Sequence, residues 1–220
     1  MNPIDIFTSL GDENRLRIMQ LLMHKSLCVC ELETLLKEGE RLFEQYGNFV
    51  GAKAFWWNKF KRIAEKFIML EQQRRNGQPI IILEETGELK IGGFTLTAKA
   101  DRIENCPDGL KIIDYKTGEP PTAKHVEQGL EPQLAIEAII FEKLYGKPAI
   151  SLEYWHLKGK DEIIKIHQRN LTAIAGAREN IPQIITKMQD ETTPFIARPW
   201  SYYALPFNDY EHLERIKEWS

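Results

Sequence analysis

Two acidic residues and a lysine near the middle of the chain have the types and spacing of a hydrolytic metal site. Asp101 ends the strand-like segment "TLTAKAD", and Asp114 and Lys116 lie two residues apart in "LKIIDYKTG". Side chains alternate along a strand, so Asp114 and Lys116 share one face and Tyr115 lies on the other. A Pro-Asp-Gly turn separates the two segments, and antiparallel pairing across it predicts that Asp101 lies near Asp114.

This group of side chains suits metal-assisted cleavage of a phosphodiester. Adjacent carboxylates repel unless a cation lies between them, and oxygen ligands of this kind suit Mg²⁺ or Mn²⁺. A lysine beside the metal orients or deprotonates a water and stabilises negative charge that develops on a phosphate. Spacing alone leaves another interpretation open, in which Asp114 and Lys116 form an edge-strand ion pair and Asp101 and Arg102 form a solvated strand end.

Composition sets the broad class of the protein. The chain has 220 residues, of which 43% are apolar and 28% charged, enough for one core or one domain with an appendage. The net charge is −3, so a nucleic-acid site would have to be a local basic patch. Three cysteines are too few for an iron–sulfur cluster, and none is expected. Because no leader-like or membrane-spanning stretch is found, we expect a cytoplasmic protein that does not contact membranes.

The hydrophobic period changes along the chain from helical to strand-like and back. Helical spacing runs to about residue 47 and again over residues 52–77, and strand-like alternation follows over residues 79–118. Turns are predicted in that region at residues 85–87, 92–93 and 107–109. A helix is predicted from Pro132 to Gly146, with Leu134, Ala138, Phe141 and Leu144 on one side. A hairpin around residues 158–160 and a helix over residues 171–190 complete the pattern.

Three of these segments together resemble a known family. "AKADRIE", "GLKIIDYKTGEPP" and "EPQLAIEA" resemble the RecB-like branch of the PD-(D/E)XK nuclease superfamily. "FWWNKFKRIAEKF" and "NDYEHLERIKEWS" are similar to the C-terminal nuclease domain of the AddB family of double-strand-break repair proteins. The resemblance implies an α/β (α+β) restriction-endonuclease-like core over residues 37–220, with a mixed central sheet flanked by helices. Residues 1–36 would then be an N-terminal helical appendage.

The same resemblance implies roles for individual residues. Asp101 and Asp114 correspond to ligands of Mg²⁺ or Mn²⁺, and the carbonyl of Tyr115 to a possible further ligand. Lys116 corresponds to the catalytic lysine. Gln133 corresponds to a helix glutamine that supports the site or contacts DNA.

The chain departs from the family pattern at two places. The family often has a tyrosine four residues after the helix glutamine, where this chain has Glu137. The family also begins with a helix bearing Gly-x-x-x-His, and none of the five histidines here has such a setting before the strands. Glu71 is a candidate substitute, or else a solvated helix-end charge. Glu84, with Glu85, is a further candidate ligand, or else a surface turn charge.

The first part of the chain resembles a different family. "DENRLRI" and "CVCEL", within residues 3–36, resemble the start of an ArsR-family winged-helix repressor. The resemblance implies a soft-metal site at Cys28 and Cys30, although Glu33 stands where a third cysteine would be, and the alternative is two small residues on a helix turn. No base-reading helix follows, so this helix-turn-helix fragment is incomplete.

Three functional hypotheses follow. The first is a Mg²⁺- or Mn²⁺-dependent deoxyribonuclease, an exonuclease of AddB type that acts in DNA repair with a helicase-nuclease partner of AddA type. The second is an inactive nuclease fold that remains as a DNA-binding or assembly remnant. The third is an ArsR-type transcriptional regulator. Aromatic residues of the long helix, including Phe55 and Phe60, suit core packing or, alternatively, a platform on which bases stack.

Overall fold

A computed structural model of the chain describes residues 32–33, 35–37, 39–41, 50–157 and 163–193, with residues 50–56 described by their backbone alone. Cys28, Cys30, most of the ArsR-like segment, the predicted hairpin tip and the aromatic tail lie outside the described residues. The elements, in chain order, are helix α1 (Val50–Arg75), strands β1 (Ile80–Ile91), β2 (Phe94–Asn105) and β3 (Leu110–Lys116), helices α2 (Ala123–Glu127) and α3 (Gln133–Tyr145), strands β4 (Ala149–Leu157) and β5 (Ile164–Arg169), and helix α4 (Thr172–Gln189).

The strands of the described part form a five-stranded mixed sheet in the order β1-β2-β3-β4-β5. β3 and β4 run parallel, and the other neighbouring pairs run antiparallel. Helix α3 lies in the crossover between the two parallel strands, as parallel pairing requires. The prediction of a mixed sheet flanked by helices is therefore confirmed.

Helix α3 begins and ends where its sequence predicts. Pro132 occupies the N-cap, and Gly146 ends the helix in the left-handed conformation at φ 64°. Leu134, Ala138 and Phe141 are buried against the sheet. Leu144, predicted on the same side, is 55% exposed, so that part of the prediction is wrong.

Apolar side chains cover both faces of the sheet. On the face covered by α3 and α4, here the α3 face, Ile112 and Leu152 belong to one buried cluster. On the other face, here the α1 face, Ile113, Tyr115 and Trp155 pack with Phe67 of α1. Phe60 is partly buried against this cluster, as core packing requires, and the side chain of Phe55 lies outside the described residues. In the described part of the chain, no helix has both the length and the apolar composition needed to cross a membrane.

The predicted turn at residues 85–87 is wrong. β1 runs unbroken past it and pairs with β2 from Ile80 to Ile91. Gly87 serves packing instead, because a Cβ there would lie 2.5 Å from Cγ2 of Ile140 on α3. The sequence Glu-Thr-Gly is typical of a turn, but here its glycine allows helix α3 to pack closely against β1. The glycine pair at residues 92–93 does form the turn between β1 and β2.

Candidate active site

Strand register brings Asp101 and Asp114 together. Arg102 pairs with Ile113 at the end of the β2–β3 ladder, so Asp101 and Asp114 occupy the next facing positions. The backbone N–H of Tyr115 donates a hydrogen bond of 2.9 Å to Asp101 Oδ2. Burial raises the pKa of Asp114, and the charge of Asp101 raises it further. The two carboxylates therefore affect each other, as the alternation predicts.

Asp114 and Lys116 form an ion pair in an interior strand. Lys116 Nζ lies 3.0 Å from Asp114 Oδ2, and the Asp114 side chain is only 4% exposed. β3 lies between β2 and β4, so the interpretation as an edge-strand pair is wrong. The solvated strand end is wrong as well, because Arg102 is fully buried. Apart from Lys116, no donor among the described groups reaches Asp114 Oδ2.

Gln133, the first residue of α3, connects the charged side chains. Its Oε1 accepts a hydrogen bond of 3.0 Å from Lys116 Nζ. Its Nε2 donates to Asp114 Oδ1 at 2.7 Å and to Glu137 Oε1 at 3.0 Å. The reversed amide would set its oxygen against two carboxylates and its NH₂ against an ammonium group, so the neighbours fix its orientation.

Glu137 is a site residue whose role the sequence did not predict. It lies one helical turn after Gln133, is 2% exposed, and its Oε2 has no hydrogen-bond partner within the described structure. Burial raises its pKa to about 8, and the charges of Asp114 and Asp101 add to that effect. The hydroxyl of buried Tyr154, on the neighbouring strand, likewise has no partner there. The spacing of four residues between Gln133 and Glu137 was the sequence signal that could have predicted their contact.

The carboxylates suit a hydrated divalent cation. Among the residues that the structure describes, no three histidine, cysteine or carboxylate side chains are gathered closely enough to enclose a metal. Mg²⁺ commonly takes only one or two protein carboxylates and completes its shell with water and substrate phosphate. Asp101 and Asp114, at facing positions of β2 and β3, match that kind of site.

Glu71 does not reach this site, and it is not a solvated helix-end charge. It is 1% exposed and lies on the α1 face, where both of its carboxylate oxygens accept from Arg102. Arg102 also donates to Glu104 at 2.7 Å and to the hydroxyl of Tyr115 at 3.3 Å. The Tyr115 side chain therefore points away from Asp114, and only its backbone remains near the site.

Glu84 lies in a strand and not in a turn. The pairs on either side of it, Leu83 with Arg102 and Glu85 with Ala100, place it opposite Asp101 where the ladder is interrupted. Its φ is 52°, which few residues other than glycine adopt, and its carboxylate lies 2.5 Å from Lys99 Nζ. The side chain therefore pairs with Lys99, and the contacts of the described residues do not join it to the two aspartates.

The chain is similar to parts of several known proteins. The chain matches an uncharacterized protein of Rickettsia bellii (strain RML369-C) with 38% identity over 96 residues, and the uncharacterized protein RC0550 of Rickettsia conorii (strain ATCC VR-613 / Malish 7) with 37% over 93 residues. Each match covers 40% of this chain and 11% of the relative, so the chain spans a small part of their length. The crystal structure of SSO0001 aligns with a TM-score of 0.33 and 16% identity over 63% of this chain and 69% of that one, too low to support an argument.

A family model covers most of the chain. The model of the PD-(D/E)XK nuclease superfamily matches residues 17–201, which include β1 to β5, Asp101, Asp114, Lys116 and Gln133. The match begins inside the ArsR-like stretch. The chain therefore belongs to the PD-(D/E)XK nuclease superfamily.

Proposed function

We propose that this chain is a metal-dependent DNA nuclease domain that hydrolyses phosphodiester bonds. The observation that carries the proposal is the cluster in which Gln133 joins Asp114 to Lys116, with Asp101 at the facing strand position. Four polar side chains from two strands and one helix converge there, and Lys116 remains 30% exposed to an approaching substrate.

Each residue has a role that its surroundings support. Asp101 and Asp114 would hold Mg²⁺ or Mn²⁺, with the Tyr115 carbonyl as a possible further ligand. A cation bound there supplies Lewis acidity and lowers the pKa of a bound water. Lys116 stabilises negative charge on the phosphate and orients the attacking water. Gln133 keeps Lys116 beside Asp114, because its two amide ends bind both side chains.

A DNA cleavage assay tests this proposal. We expect the chain to cleave single- or double-stranded DNA with Mg²⁺, and Asp114→Asn or Lys116→Ala to lower the rate by on the order of 100-fold or more. Glu127→Gln, an exposed carboxylate on α2, is the control and should leave the rate unchanged. Equal activity in wild type and Asp114→Asn would reject the proposal. Binding of Mn²⁺ and DNA without cleavage would favour the inactive remnant instead.

We also propose a more specific biological role for this nuclease domain. The resemblance of the α1 sequence and of the C-terminal segment to AddB-type proteins supports an exonuclease of double-strand-break repair in the cytoplasm, with an AddA-type partner. Co-purification with such a helicase-nuclease subunit tests it, and failure to associate would remove this assignment while leaving the nuclease proposal in place.

The ArsR-like segment is proposed as an appendage only. No sequence typical of a base-reading helix follows residue 36, which argues against the regulator hypothesis. Operator binding that arsenite releases would contradict this proposal, and loss of that release in Cys28→Ser or Cys30→Ser would assign a soft metal to the two thiols.

A further inference from the structure

The Glu137 side chain is a buried acid that lies beside the candidate active site. It is 2% exposed, and its Oε1 accepts a hydrogen bond of 3.0 Å from Gln133 Nε2. Its Oε2 has no hydrogen-bond partner within the described residues. Burial of a carboxyl costs free energy, so packing alone does not account for a glutamate at this position. The contact with Gln133 is the feature that does.

The amide of Gln133 is bound on three sides. An amide NH₂ has two N–H bonds, and Nε2 donates to Asp114 Oδ1 at 2.7 Å and to Glu137 Oε1 at 3.0 Å. The amide oxygen accepts a hydrogen bond of 3.0 Å from Lys116 Nζ. Any rotation of the amide plane therefore breaks at least one of these hydrogen bonds.

The two carboxylates hold the amide from different elements. Asp114 lies on β3, so its hydrogen bond depends on how α3 packs on the sheet. Glu137 lies four residues after Gln133 on the same helix, so its hydrogen bond forms within α3. Asp114 also pairs with Lys116 at 3.0 Å and is a proposed ligand of the cation. Glu137 therefore restrains Gln133 without taking part in those two interactions.

The position of the Lys116 ammonium group depends on Gln133. Lysine has a long flexible side chain, and here its Nζ lies between the Asp114 carboxylate and the Gln133 amide oxygen. If the amide turned away, Asp114 would be the acceptor that remains of these two. A displacement of about 1 Å in a catalytic group is enough to slow a reaction severely.

We propose that Glu137 is a positioning residue of the nuclease site, which acts through the Gln133 amide to keep the Lys116 ammonium group in place. The inference rests on the proposed nuclease function. The role requires an acceptor oxygen at position 137 and does not require a charge. Glutamine at this position can therefore fulfil it, and leucine cannot.

Steady-state cleavage of DNA by the full chain with Mg²⁺ compares Glu137→Leu with Glu137→Gln. Glu137→Leu leaves one N–H of Gln133 without its acceptor and should lower kcat about 10-fold or more, with KM changed by less than about 3-fold. Glu137→Gln should keep kcat within about 3-fold of the wild type. Glu127→Leu, which removes an exposed carboxyl on α2, is the matched control and should leave kcat unchanged.

A double-mutant cycle tests whether Glu137 acts through Gln133. In a Gln133→Leu background, Glu137→Leu should have little further effect on kcat, because the side chain that it positions is already gone. An undiminished loss in that background would overturn the inference. So would equal losses in Glu137→Leu and Glu137→Gln, or a wild-type kcat in Glu137→Leu.

A measurement without cleavage separates failure of this inference from failure of the nuclease proposal. In the ¹⁵N-labelled, metal-free chain, the side-chain NH₂ signals of Gln133 are identified by their absence from Gln133→Leu. Their exchange with water should be about 2- to 10-fold faster in Glu137→Leu, the change expected for one lost hydrogen bond, and unchanged in Glu137→Gln. Equal exchange in Glu137→Leu and the wild type would overturn the inference. Faster exchange in a chain that does not cleave DNA would support the contact and count against the nuclease proposal alone.

Discussion

Gln133 decides how the charged groups of the site face one another, because its amide has a donor end and an acceptor end. The acceptor end takes Lys116 and the donor end takes Asp114 and Glu137. A glutamate in place of Gln133 would lack the donor end and face two carboxylates. The family resemblance implied that Gln133 supports the site or contacts DNA. The resemblance did not predict a role for Glu137, whose contact with Gln133 is local but whose burial depends on how α3 packs on the sheet.

The buried carboxyl of Glu137 makes a pH-dependent contribution to stability in metal-free buffer. Its pKa in the folded protein is about 8, against an ordinary value of 4.5, so the folded chain keeps a proton that the unfolded chain loses. The free energy of unfolding therefore falls as pH rises from about 4.5 to 8. Glu137→Gln removes this loss and should raise the free energy of unfolding at pH 8.5 by on the order of 3 kcal/mol.

Urea denaturation at pH 5 and pH 8.5 checks this prediction. At pH 5 the folded chain keeps its proton and the pH is only slightly above the ordinary pKa of 4.5, so the wild type has lost only about 1 kcal/mol and the variant should gain little there. Glu127→Gln, on the exposed side of α2, is the matched change of charge and should show no such difference between the two pH values. A gain for Glu137→Gln that is the same at both pH values would contradict the assignment to this carboxyl.

At the scale of elements, buried charge fixes α1 against the sheet. Arg102 is fully buried and binds Glu71 of α1 and Glu104 of its own strand. Arg74, near the end of α1, also binds Glu104, with two hydrogen bonds of 2.9 Å and 2.8 Å. Arg102→Met should lower the free energy of unfolding by about 3–5 kcal/mol, because Glu71 is left buried without its main partner.

Two comparisons test that explanation by denaturation. Arg178→Met removes an exposed pair with Glu142 and should cost at most about 1 kcal/mol. Adding Glu71→Gln to Arg102→Met should recover part of the loss, since it removes the uncompensated charge. If Arg102→Met were as mild as Arg178→Met, the network would not be what holds α1.

Two glycines of the chain should respond oppositely to alanine. At Gly87 a new Cβ would meet Ile140 and Phe141 of α3, so Gly87→Ala should destabilise the fold by about 1–3 kcal/mol. Gly176, inside α4, has no atom within 4 Å of such a Cβ, and Gly176→Ala should stabilise by about 0.5–1 kcal/mol. Thermal melts compare the pair. A stabilising Gly87→Ala would show that β1 and α3 do not approach so closely.

Sequence patterns predict contacts between residues that are close together in the chain, and they miss contacts between distant segments. A hairpin with a short turn sets its own register, so the sequence could predict that Asp101 faces Asp114, and alternation along β3 could predict that Asp114 and Lys116 share a face. The burial of Glu71 and the packing role of Gly87 depend on helices that come from distant parts of the chain. His156 meets Lys116 only through the parallel crossover, whose register no local pattern sets.

At the scale of the whole molecule, a net charge of −3 conceals how charge is distributed over the sheet. Asp101 and Asp114 come together at facing positions of β2 and β3, and the average composition hides this local cluster of acids. Folding thus gathers like charges that repel in the absence of a counterion. An ion that binds only the folded chain therefore raises the free energy of unfolding of the whole domain.

Mn²⁺ should therefore raise the thermal midpoint of the full chain. At a free concentration 100 times Kd, binding to the folded state contributes about 2.7 kcal/mol. Asp114→Asn removes a ligand, so its midpoint should not respond to Mn²⁺, although the variant is expected to be stable because the mutated carboxyl is buried with a raised pKa. Lys90→Ala, remote on β1, should respond like the wild type. Equal Mn²⁺ shifts in Asp114→Asn and wild type, measured by differential scanning calorimetry, would place the cation elsewhere and leave the facing aspartates without their proposed role.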